Sequence, residues 1–295
     1  MLKREWSDMF AIFKRELMGY YQTPIGYVFM GLFLLISGFF FAYNHLFTGS
    51  AYYSSFLGSI FFIFIFAIPL LTMRSISEER RQKTDQLLLT SPVSISDIVI
   101  GKFLAASSVF FVTLLVTVLY AVVVGTYGDL AVAQTAGAYI GFFLLGLCFI
   151  AIGILISALT ENQVTAAFFT FFSLLFVWLI NLVKQVVPAD NLSGIIFAAA
   201  LGVALSAYLF FNTRSWIVGG IAVIVSAIII VLLALIDHTV YTGLIGNALG
   251  WISLLDRYNS FNLGILKLDA VVFYLSFCAV FLFITIRVIE KRRWT

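Results

Sequence analysis

Charge is scarce in this sequence. Only 11% of its 295 residues are Asp, Glu, Lys or Arg, whereas 62% are hydrophobic and the mean hydropathy is +1.10. A soluble domain carries about 25% charged residues. So few charges cannot cover a water-facing surface, which excludes an ordinary soluble enzyme. With 4 Pro, 21 Gly and 32 Phe, the chain is neither disordered nor collagen-like. The two cysteines, Cys148 and Cys278, sit inside apolar runs with no CxxC or Cys/His pattern. A disulfide framework or zinc site is therefore unsupported, and both read as small core residues whose pairing stays open. His45 and His238 are isolated in expected outer loops, where a lone histidine reads as a surface residue. Catalytic signatures are missing too. Gly101-Lys102 is followed by Phe103, and Ser96 stands where a phosphate loop needs its first glycine. HExxH and GxSxG are absent, so no catalytic residue and no metal ligand is expected. No carboxylate falls at mid-span, which argues against an ion-driven carrier, although backbone carbonyls can bind sodium unaided. A net charge of +3 is too small for a nucleic-acid footprint.

What the sequence has is long uncharged stretches: about 24–43, 54–73, 103–126, 133–158, 163–183, 193–212, 216–236 and 270–286. A helix needs about 20 apolar residues to cross a bilayer, because its backbone must satisfy itself where there is no water. The expected fold is therefore an all-α integral membrane protein of about eight transmembrane helices. The runs are continuous rather than alternating, so a β-barrel is not expected. With the N-terminus in the cytoplasm, 14 of the 17 basic residues fall inside, and Lys184, Arg257 and Lys267 fall outside. Both termini are then cytoplasmic. The segment 238–255 is uncharged but rich in Gly, Thr and Asn. It reads as re-entrant or interfacial, with a ninth span as the alternative.

Residues 1–22 differ. Trp6, Met9, Phe10, Phe13 and Leu17 recur at helical spacing, with Lys14 and Arg15 among the charges between them. This pattern predicts an amphipathic helix lying in the membrane interface. Charge is densest from Arg74 to Lys102. Glu78 with Gln82 and Glu79 with Lys83 are i,i+4 neighbours, predicting a short helix that ends before Pro92. Ser94-x-x-Asp97 resembles a capping box opening the third span. Leu87-Leu88-Leu89 beside such charge suits an interface with a cytoplasmic partner. The loop Thr160-Glu161-Asn162-Gln163 offers a second contact.

The run Ser77-Glu78-Glu79-Arg80-Arg81-Gln82-Lys83-Thr84-Asp85-Gln86-Leu87-Leu88-Leu89-Thr90-Ser91-Pro92, followed by Gly101-Lys102-Phe103, resembles the permease subunits of type-2 ATP-binding-cassette (ABC) transporters. Within them it is most similar to the gliding-motility branch. Thr23-Pro24-Ile25-Gly26-Tyr27, Leu159-Thr160-Glu161-Asn162-Gln163, Tyr258 to Leu266 and Arg292-Arg293-Trp294 add matches in order. The family usually has glycine where Lys83 stands and a hydrophobic residue where Asp85 stands. Its usual six spans imply that about 190–240 is a two-helix insertion within a permease domain spanning 23–295.

The resemblance implies a multi-pass inner-membrane exporter subunit, pairing with a second permease (the same chain or another) and two copies of a cytoplasmic ABC ATPase. Residues about 76–90 would be the coupling helix, with Glu78, Glu79, Arg80, Arg81, Lys83, Leu87 and Leu88 facing the ATPase beside Glu161 and Asn162. The amphipathic helix, with Trp6, Phe10, Phe13, Lys14 and Arg15, would be the connecting helix against membrane lipid. Trp251, Arg257, Tyr258 and Phe261 form a candidate outer gate segment. The chain itself would bind no cofactor, with ATP and Mg held by the ATPase. The rival readings are an ATPase-independent channel or carrier, and a non-transporting scaffold or sensor working with the same kind of ATPase.

Overall fold

A computed structural model describes residues 2–48, 53–84, 93–236 and 240–293. Among the described residues the regular elements are helical and no strand occurs. The chain divides into two compact units, Met1–Trp178 with Arg257–Thr295, and Leu179–Asp256.

In the first unit, α1 (Leu2–Gln22) turns into α2 (Pro24–Phe41), where Pro24 occupies the first helical turn at no hydrogen-bond cost. A π-helical turn, Ala42–Leu46, prolongs α2. Then come α3 (Ser54–Ser59), α4 (Ile63–Thr72) and α5 (Ser77–Arg81). Two long helices follow, α6 (Ile95–Tyr127) and α7 (Val132–Leu159). At about 1.5 Å per residue α6 is roughly 50 Å long, well beyond a hydrocarbon core of about 30 Å. The expected cap is present: Asp97 N–H donates to Ser94 Oγ at 3.1 Å.

The core forms where α2, α4, α6 and α7 meet. Phe33, Phe64, Phe110 and Phe142 are fully buried there, with ring centroids 4.5 Å apart for Phe64–Phe142 and 6.0 Å for Phe33–Phe110. Such tilted and edge-on contacts are the preferred aromatic geometries. Helix α7 comes close because it carries glycines. A Cβ at Gly146 would strike the Phe110 ring, and one at Gly153 would strike Thr72. Helix α13 (Leu268–Arg293) packs along α7 and brings Cys278 Sγ to 3.6 Å from Cys148 Sγ. Both cysteines are buried and form no disulfide.

Six described helices are long and apolar enough to span: Pro24–Leu46, α6, α7, α8 (Gln163–Val186), α9 (Asn191–Thr213) and Leu268–Arg292. One of the eight expected runs differs. The run 54–73 is not one helix but α3 and α4 joined by a tight turn. There Ile60, Ile63 and Phe64 donate to carbonyls three residues back, at 2.9–3.3 Å. The break is tolerated because α4 is buried in protein almost throughout and the short-range bonds satisfy its backbone. The run 216–236 does form one helix, α10 (Trp216–Ile236). His45, expected on the surface, is instead buried in the π-turn. Its ring stacks among Tyr53, Phe41 and Phe56 at 5.4–5.8 Å. His238 lies outside the described residues.

The second unit is built on the α9–α10 hairpin. Its turn passes through Arg214 in the left-handed region, φ 52°. Small residues line the seam: a Cβ at Gly202 would lie 2.9 Å from Ser226. The segment 238–255 contains α11 (Leu244–Ile252) and the start of α12 (Leu254–Asn262), nine residues each. Neither is long enough to cross a bilayer, which removes the ninth span. Tyr241 Oη donates to Ile230 O at 2.9 Å, and Lys184 pairs with Asp256.

Candidate functional site

The densest chemistry lies at the end of the first unit where α1, α5 and the start of α6 meet. Helix α1 does not only present an apolar face to its surroundings. Ile12 packs on α6 where Gly101 leaves room, since a Cβ there would sit 3.0 Å from Ile12. One turn on, Glu16 faces the same way. Lys102, only 2% exposed, places its ammonium 3.1 Å from Glu16 and 2.8 Å from Glu79. Arg15 approaches Glu79 at 3.6 Å. One buried lysine thus joins the N-terminal helix to α5. Burial pushes the Glu79 carboxyl above its ordinary range, outweighing the pull of the Lys102 ammonium. Beside this cluster Arg74 forms a two-pronged pair with Glu78, which holds its guanidinium pKa up. Tyr20, its phenol pKa raised by burial, donates to Leu71 O at 2.9 Å.

The second contact is with α7. Ser157 Oγ accepts from the backbone N–H groups of Ile76 and Ser77, both at 3.1 Å. Arg80 forms an ion pair with Glu161 and donates to Ala158 O at 3.3 Å. The two charged loops read separately in the sequence are therefore one surface.

The expected continuous helix over 76–90 is interrupted at Lys83, and residues 85–90 lie outside the described residues. Helix α5 covers only Ser77–Arg81, and a Schellman motif closes it: Lys83 N–H donates to Arg80 O at 3.1 Å and Thr84 N–H to Glu79 O at 2.9 Å. Lys83 sits at the left-handed position, φ 57°. That conformation favours glycine, the residue the resemblance leads one to expect at this position. It also rules out the expected Glu79–Lys83 pairing along a continuous helix, and Glu79 turns to Lys102. Glu78 does meet Gln82, at 3.2 Å. Leu87 and Leu88 lie outside the described residues.

Asn162 caps α8, its Oδ1 accepting from Val164 N–H at 2.9 Å. On α1, Phe10 is 61% exposed, Phe13 is half-buried, and Lys14 and Arg15 are exposed. At about 100° per residue, Phe10, Phe13 and Leu17 share an arc of roughly 60° beside the packed stripe. Trp6 lies on the same helix. At the opposite end of the first unit, Tyr258 and Phe261 are buried, and Arg257 stacks on Phe273 at 3.8 Å. Tyr258 meets Phe61 edge-on at 4.5 Å. Phe261 seats on α7 where a Cβ at Gly141 would lie 2.6 Å away. Trp251 belongs to the second unit and is 78% exposed.

Lys102 and Glu16 escaped the sequence reading as site residues. Lys102 was visible as a basic residue closing the charged segment and as part of the family run Gly101-Lys102-Phe103, with no partner assigned to it. The available signal was the stripe Ile12-Glu16-Tyr20 and a glycine directly before Lys102.

Six described helices long and apolar enough to span, with their charge gathered outside the apolar stretches, define a multi-pass, all-α membrane protein. The chain belongs to the ABC-2 family transporter proteins, whose family pattern it matches over residues 14–293. It is thus a membrane permease of the ABC-transporter kind, a family that works with ABC ATPases. The match is to the family as a whole. No curated protein matches the chain.

Proposed function

We propose that this chain is the path-forming subunit of an ATP-driven exporter, with both termini cytoplasmic, and that a separate ATPase docks on the surface made by α5 and the loop 160–163. The observation that carries this reading is the Arg80–Glu161 pair together with the Ser157 bonds. They make the two charged loops a single rigid corner, so a push on α5 moves α7. Two such permeases, identical or not, would face each other above two ATPase copies. ATP and Mg would be held by those subunits, in keeping with the missing phosphate loop. Arg81 and Glu161 form the exposed rim of the docking surface, with the part-buried Glu78 behind them held by Arg74. Glu79 and Lys102 pass movement to the interfacial helix behind it. Within the first unit, Arg257 and the buried Tyr258 and Phe261 would form part of an outer gate. The uncharged spans suit an amphipathic or lipid-like cargo.

The test is a mild-detergent pull-down of the tagged chain with ATP hydrolysis measured in the eluate. Arg80→Glu should lower the retained hydrolysis about tenfold, equivalent to about 1.4 kcal/mol of docking energy. The swap Arg80→Glu with Glu161→Arg should restore much of it. Full retention by Arg80→Glu, or no hydrolysis with the parent chain, would overturn the docking assignment. An uncoupled channel would then be sought by ion flux.

A further inference from the structure

Two adjoining cavities open beside the Lys102 cluster, with volumes of about 120 and 440 Å³. They share Glu16, Arg74, Ser75 and Glu78 in their walls. The smaller reaches Tyr20 and Thr23, and the larger reaches Lys102. Three properties of this cleft define a ligand.

The first is an unpaired hydroxyl. Ser75 is 6% exposed and lines both cavities, yet its Oγ has no hydrogen-bond partner. A buried hydroxyl left unpaired is unfavourable, so a polar ligand here gains what the protein lacks. The second is charge balance. Arg15, Arg74 and Lys102 face Glu16, Glu78 and Glu79. A lone anion or cation would leave excess charge in a partly buried place. A ligand carrying both signs would not. The third is depth. Thr23, in the wall of the smaller cavity, directly precedes the span that begins at Pro24. Along α1 the exposed Phe10 marks an apolar arc suited to the interface. The cleft therefore opens at the level where bilayer headgroups lie.

We propose that this cleft is a binding site for a zwitterionic phosphoethanolamine lipid headgroup, its phosphate on the Arg74 guanidinium and Ser75 hydroxyl and its ammonium on Glu16 and Glu78. Guanidinium is well matched to phosphate geometry. A primary ammonium donates up to three hydrogen bonds to carboxylates, as a lysine does. A trimethylated choline group donates none and relies on aromatic faces. Tyr20 is the single aromatic residue in these walls, whereas choline recognition uses a cage of several aromatic faces. The acyl chains would leave past Ile25, which also lines the smaller cavity.

The test uses the purified full-length chain, equilibrated with an equimolar mixture of phosphatidylethanolamine, phosphatidylcholine and phosphatidylglycerol, then washed. Lipid retained per protein is measured by mass spectrometry. Phosphatidylethanolamine should be enriched about tenfold over each competitor. Ser75→Ala, which leaves the Arg74–Glu78 pair intact and so preserves folding, should reduce that enrichment about threefold. Arg74→Gln should abolish it. Equal retention of phosphatidylglycerol would mean an ordinary anion site, and equal retention of phosphatidylcholine would mean no headgroup recognition. Enrichment that survives Ser75→Ala unchanged would put the lipid elsewhere. Displacement by an equal amount of soluble phosphoethanolamine would make the free headgroup, rather than the lipid, the ligand. Each of these four results overturns the proposal.

Discussion

The charged end of the first unit and the α9–α10 hairpin of the second hold helices together in opposite ways. At the charged end, α1, α5 and α6 meet through a buried ammonium shared by two carboxylates. In the hairpin the seam is made of Gly202, Ser206 and Ser226, and the remaining surface, such as Leu201, Ile224 and Ile228, is exposed apolar side chain. Lipid tails are as apolar as leucine, so helices surrounded by lipid gain little from hiding leucine from it. They associate by close backbone approach. Outside the hydrocarbon the problem is reversed: desolvated charges need partners in fixed positions, and those positions fix the geometry. The hairpin is thus held by shape, and the α1–α5–α6 junction by charge.

The strongest way to break this contrast is Lys102→Met. It leaves Glu16 and Glu79 beside each other with only the exposed Arg15 near both, and should cost about 3 kcal/mol, lowering the unfolding temperature in detergent. Adding Glu16→Gln and Glu79→Gln should recover most of the loss. If Lys102→Met alone melts with the parent, charge does not hold the junction.

Glycine substitutions sharpen the other side. Gly153→Ala forces a Cβ into Thr72 and should cost about 1–3 kcal/mol. Gly220→Ala in the hairpin meets nothing within 4 Å and should be neutral or stabilising by up to about 1 kcal/mol. Equal effects on thermal unfolding would show that the packing of α7 is looser than these contacts imply.

A smaller gain is expected from Lys83→Gly. The left-handed residue at the end of α5 would lose its Cβ penalty, adding about 1 kcal/mol locally. Slower amide exchange at Thr84, whose N–H closes the motif, would register it. Faster exchange would mean that the lysine side chain itself supports the turn.

The smallest effect concerns pH. Burial raises the folded pKa of Glu79 above 4.5, so the folded chain binds that proton more tightly than the unfolded chain does. The contribution of this group to stability therefore grows as pH falls through its folded pKa and is absent at neutral pH. Glu79→Gln, permanently neutral, should remove that acid-side gain and flatten the profile of unfolding temperature against pH. An identical profile would mean that Glu79 is as well solvated as a surface carboxylate.

The amino-acid order by itself determined the all-helical membrane class, because each uncharged run long enough to cross a bilayer has few other stable outcomes. It also determined the Ser94–Asp97 cap, a signal contained within four residues. The family signatures from Glu78 to Lys102 were likewise local. Only the tertiary structure decided how those local pieces were used. The run 54–73 has the composition of a span, yet burial of most of its residues in protein let it break into α3 and α4. Lys83 read as the continuation of a charged helix, but a single φ angle ended that helix. Lys102 lies 23 residues from Glu79 and 86 from Glu16, and no periodicity links them. The ion cluster exists because α1 folds back along α6 beside Gly101. Long-range ion pairing is a property of how helices pack, and the sequence of one helix does not state which neighbour its charges will meet.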